Sequence, residues 1–184
     1  MNHTSVAMLI GVAVLATACG DSPTSPDSFT PPDGTYRSVF SAVLGPGVGG
    51  LSVTPVPTAA GTFDAIFKVR VEKARPNTTY YVQRAPEVGR PNGADGVCQR
   101  ALALSPWSAG DPPAAAFVTF PQPALPGGLA SFTTQPNGNG SIDFEYGTPN
   151  IVAGLAFDVM FRVVDDTAAP TAELRSGCLT VTAK

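Results

Sequence analysis

The sequence predicts an all-β chain, a single antiparallel β-sandwich of about eight strands. Three observations carry that reading. Apolar and polar residues alternate with period two in several stretches after residue 35. Glycine and proline, 19 of each, punctuate the gaps between those stretches. No segment shows the 3.6-residue period of an amphipathic helix. Short strands with turns at close intervals suit a sandwich better than an α/β fold.

From the N-terminus, residues 6–18 (VAMLIGVAVLATA) form an uninterrupted apolar and small-residue run. It falls short of the ~20 residues of a membrane-spanning helix and has the length of a signal peptide's apolar region. Ala16 and Ala18 are the small residues that a signal peptidase reads. Cys19 follows at once. Leu15, Ala16, Thr17, Ala18 and Cys19 together resemble the bacterial lipoprotein signal, although Ala16 stands where Leu is usual and MNHTS holds no Lys or Arg. The resemblance implies that residues 1–18 are removed and that Cys19 is lipidated and anchored to the membrane. Ordinary signal-peptidase cleavage at the same bond would instead release a secreted chain. Residues 20–34 (GDSPTSPDSFTPPDG) contain four prolines and one large apolar side chain, Phe29, which is the composition of an extended tether. The expected organisation is a signal peptide over 1–18, Cys19 and its tether over 19–34, and a β domain over 35–184.

Composition narrows the chemistry. The net charge is −3, and Lys68, Arg70, Lys73 and Arg75 are interrupted by Glu72, so no basic stripe for nucleic acid exists. The single histidine, His3, lies in the segment expected to be removed. Without it a Ser-His-Asp triad, a Cys-His pair and a histidine-ligated metal site are excluded. Three lysines remain, Lys68, Lys73 and Lys184. No cofactor is expected, and the chain is read as a non-enzyme.

The strands follow in order. The clearest is TFDAIFKVRVE, Thr62–Glu72, with Phe63, Ala65, Phe67, Val69 and Val71 on one face and Asp64, Lys68, Arg70 and Glu72 on the other. Residues 155–164 send Phe157, Val159, Phe161 and Val163 inward, with Asp158 and Arg162 outward. Residues 141–146 separate Ile142, Phe144 and Tyr146 from Asp143 and Glu145. Further strands are expected over 36–44, 79–85, 115–120, 129–135 and 174–182, and PNGNG at 136–140 reads as a hairpin connection.

Within ARPNTTYYVQ, residues 74–83, Pro76, Thr78, Tyr80 and Val82 resemble the Pro-Gly-Thr-x-Tyr-x-Val pattern of fibronectin type III and related immunoglobulin-like domains. Asn77 replaces the glycine and tolerates the same left-handed backbone. The resemblance implies an immunoglobulin-like sandwich in which the Tyr80 hydroxyl ties back to the backbone of its corner. About 100 residues follow this motif, more than in that family, which implies an altered topology.

Residues 87–112 (EVGRPNGADGVCQRALALSPWSAGDP) make a long excursion, and ordered loops of this length are functional or stapled. In an oxidising compartment Cys98 and Cys178 are most simply a disulfide. Such a bridge closes a loop of roughly 80 residues and stabilises by about 4–5 kcal/mol on the chain-entropy model. Two separate buried thiols are the alternative. If a binding surface lies in this loop, Arg90, Asn92, Asp95 and Trp107 are its candidates, with plain loop packing as the competing role for Trp107. Asp143 with Glu145, and Asp165 with Asp166, are carboxylate pairs that either cleave a glycosidic bond, hold Ca²⁺ or cover a solvent face. Neither pair has diagnostic spacing. The sequons at Asn77 and Asn139 are incidental in a bacterial chain. The functional expectation is a lipoprotein of the bacterial cell envelope that acts as a binding or structural module for an envelope protein or glycan. A carboxylate-based polysaccharide-acting enzyme and a surface-fibre subunit are the alternatives.

Overall fold

The computed structural model describes residues 31–58, 61–104 and 117–184. Residues 1–18, Cys19, most of the tether and Trp107 lie outside them. The strands, in chain order, are β1 (Tyr36–Leu44), β2 (Val48–Val56), β3 (Thr62–Glu72), β4 (Thr79–Pro86), β5 (Val118–Thr119), β6 (Ser131–Thr133), β7 (Gly140–Pro149), β8 (Ala156–Val164), β9 (Glu173–Ser176) and β10 (Leu179–Thr182). One helical turn, α1 (Gln99–Leu102), lies in the excursion, too short to leave a period in the sequence. The all-β class stands.

The strands form one antiparallel sheet in the order β5-β4-β8-β9-β1-β2-β3-β7, with β10 on β8 and β6 on β4. The sheet curls so that its two halves face each other. Phe63 of β3 meets Phe157 of β8 edge-on at 5.4 Å between ring centroids, and Phe67 lies 6.0 Å from Phe161. The joint is β9, which pairs with β1 on one side and with β8 on the other. The β8 register slips by one residue between Arg162↔Arg175 and Val159↔Leu179. β9 and β10 are therefore a single strand bulged at Gly177 and Cys178, and a bulge bends the strand that carries it.

β2 went unread because VGGLSVTPV holds two glycines and a proline, the residues that usually end strands. Its neighbours explain each of them. A Cβ at Gly49 would come within 2.2 Å of the Arg70 carbonyl oxygen of β3, so the backbones approach as closely as only glycine allows. Pro55 lies beyond Val53, the last β2 residue paired with β1, where the strand has a neighbour on one side only.

Two expectations need correction. PNGNG closes a turn, with the Gln135 amide donating to the Asn139 carbonyl at 2.8 Å, but it makes no hairpin ladder. The strands on either side diverge, β6 to β4 and β7 to β3, so the turn carries the chain between the two halves. Asp158 and Arg162 do lie on the outer face of β8, yet the excursion covers that face. Asp158 is fully buried, accepting from the Gly96 amide at 2.9 Å and the Thr180 hydroxyl at 2.5 Å.

The corner before β4 is tied as the motif requires. The Tyr80 hydroxyl, at a fully buried residue, accepts from the Arg75 amide at 3.3 Å, and Asn77 holds a φ of 50°. The Thr134 hydroxyl donates to the Arg75 carbonyl at 2.5 Å and locks the same turn from β6's side.

Candidate functional site

Cys98 and Cys178 are bonded, with Cα atoms 5.5 Å apart. The bridge fixes the excursion to the bulge between β9 and β10, over a small apolar cluster of Ala85, Met160 and Phe117. Asp95 serves the fold of this segment, accepting from the Val97 amide and the Gln99 side-chain amide, each at 2.9 Å. Arg90 and Asn92 are exposed, and Asn92 occupies a turn with φ 59°. Trp107 lies outside the described residues.

Of the carboxylate pairs, Asp143, Asp165 and Asp166 are engaged locally, while Glu145 is exposed on β7. Asp143 forms a forked pair with Arg70 across the β3–β7 ladder, at 2.5 and 3.2 Å, and the Arg70 guanidinium holds its carboxyl below the ordinary range. Asp165 accepts from the Thr171 and Ala172 amides, both at 2.8 Å, from the Thr171 hydroxyl at 2.6 Å and from Arg75 at 3.1 Å. Burial pushes its carboxyl up, but those donors together hold it below the usual value. Asp166 accepts from the Ala168 and Ala169 amides in a surface turn. Among the described residues, no group of three His, Cys, Asp or Glu side chains gathers to hold a metal ion.

A mostly apolar cleft lies elsewhere. The curled sheet leaves a seam where β7 and the β4–β5 edge do not pair, and an apolar cleft of about 280 Å³ opens there. Strand alternation builds its walls. Phe63 and Phe67 come from β3, Phe157, Val159 and Phe161 from β8, and Tyr146 from β7. Phe120, just past β5, is fully buried and lies 4.8 Å from Phe67 and 5.1 Å from Tyr146, between ring centroids. That volume is at the small end of ligand pockets, which are mostly apolar with a few placed polar groups.

The placed polar group is Arg84. On β4 the inward positions are Tyr80, Val82 and then Arg84, so a cation stands where the alternation calls for an apolar side chain. Its guanidinium carbon lies 4.4 Å from the centroid of Phe120 and 4.3 Å from that of Tyr146, within cation–π range of both rings. One Nη donates to the Tyr146 hydroxyl at 2.6 Å, and the other makes long contacts of 3.5 and 3.4 Å to the Val118 and Thr119 carbonyls. Burial lowers its pKa, with the Tyr146 hydroxyl acting against that. Among the described residues Arg84 has no carboxylate partner. The contrast with Arg162 is direct: that guanidinium, on the covered outer face, donates to Glu173 at 3.2 Å and to Gln83 at 2.7 Å.

The sequence reading pointed to the excursion and missed this cleft. The one signal that marks it is the arginine on the inward face of YVQR, residues 81–84, which breaks the β4 alternation. Comparison of the chain with protein-family models, with curated proteins and with solved structures finds no match.

Proposed function

We propose that this chain is an exported, lipid-anchored binding module of the bacterial cell envelope, an immunoglobulin-like sandwich closed through β9, whose ligand enters the apolar cleft at the open seam. The cleft carries the reading. Apolar aromatic walls with a single charged group in their lining are the make-up of a small-molecule site rather than of a settled core. Binding of this kind needs no titrating group, in keeping with a mature chain that would lack histidine. The tether after Cys19 supports presentation away from a membrane. The fibre-subunit alternative draws on β7, which pairs with β3 alone, but Asp143 and Glu145 along that strand are charges of the kind that discourage strand addition.

A neutral, environment-sensitive dye such as N-phenyl-1-naphthylamine tests the reading. Saturable fluorescence enhancement is expected. It should be lost in Thr148→Trp, which fills the cleft from the half-buried β7 side, with circular dichroism unchanged. Unsaturable binding, or binding indifferent to Thr148→Trp, would overturn it.

A further inference from the structure

Cavity, charge and stacking together say more about the ligand than that it is apolar. Arg84 is held in the cleft lining by the Phe120 ring and by the ring and hydroxyl of Tyr146, neither of which neutralises it. Desolvating a guanidinium without a counter-ion is costly, and that cost is met when an anion arrives. The guanidinium has five N–H donors in a fixed fork. One hydrogen on Nη2 is taken by Tyr146, and both Nη1 contacts are long, so Nε and the second Nη2 hydrogen make no bond among the described residues. Nε and an adjacent Nη hydrogen form the edge that grips a carboxylate with two parallel bonds. Apart from Arg84, Thr148, Asn150 and the Tyr146 hydroxyl, the cleft is lined by hydrocarbon and aromatic side chains, Phe63, Phe157, Val159 and Val181 among them.

We infer that the cleft takes an amphipathic carboxylate, with its apolar chain along the aromatic and aliphatic lining and its anionic head on Arg84. The inference rests on the cleft's being the ligand site. Three ligands of equal chain length separate the two ideas: sodium octanoate, octan-1-ol and octylammonium, each titrated into the intact protein by calorimetry at neutral pH. The expected order is octanoate tightest, by about tenfold or more over octanol given what hydrogen bonds to charged groups contribute, with octylammonium weakest. In Arg84→Gln the octanoate advantage should vanish, while octanol affinity stays within about twofold. Equal affinity for octanoate and octanol in the unmodified protein overturns the carboxylate inference and leaves the cleft as a site. Failure of all three to bind overturns the cleft reading itself. If Arg84→Gln does not fold, the order of the three ligands on the unmodified protein still decides.

Discussion

Arg84 and Asp165 are two charged residues with opposite fates. Asp165 is surrounded by donors and nearly covered, its side chain 12% exposed. Its folded-state carboxyl lies below the ~3.9 of an unfolded aspartate, so protonation works against the fold. The sign follows: this stabilisation is complete above about pH 4 and is lost as pH falls through the lower, folded-state value. Asp165→Asn should therefore cost about 1.5–3 kcal/mol at pH 7, the range for hydrogen bonds to a charged group. The gap to the unmodified protein should narrow at pH 3, as urea unfolding at the two pH values would read. An equal gap at both would remove Asp165 from the acid response. Among the described residues Arg84 has no carboxylate partner, and its charge is legible as an anomaly only once β4 is known to face the core.

At the scale of elements, the excursion and the bulged last strand depend on each other. Cys98 and Cys178 join them covalently, and Asp158 bonds the excursion through Gly96 and β10 through Thr180. Replacing both cysteines by serine should lower stability by up to about 4–5 kcal/mol, the chain-entropy value for a loop this long. The denaturation midpoint measures the total. Hydrogen exchange locates it, since the amides of Gly96 and Arg100 should lose protection while Val69, in the middle of β3, keeps most of its own. Uniform loss across the sheet would mean that the bridge acts on the whole fold and not on this attachment.

For the whole molecule, the proposed lipid anchor makes a prediction that mass reads directly. Native protein from a membrane fraction should give an intact mass that begins at Cys19 and includes acyl chains, with a gain of two hydrogens on reduction. A mass beginning at Cys19 without lipid would make it a secreted chain with a third cysteine, and covalent pairing between copies would follow. A chain retaining residues 1–18 would remove the export reading altogether.

Sequence alone determined the strand character, because period-two alternation is local: β3 and β1 have the bounds that the pattern drew, and β4, β7 and β8 differ by a few residues at their ends. It also singled out the Tyr80 corner, whose hydroxyl and left-handed Asn77 are properties of a few consecutive residues. What spacing along the chain cannot carry was decided by tertiary contact. Glycines made β2 look like a loop until the Arg70 backbone was found against Gly49. The outer face of β8 read as solvent-facing until the excursion was found on it. The cleft exists because β7 and the β4–β5 edge fail to meet when the sheet curls, and they lie too far apart in the chain for any local pattern to announce it.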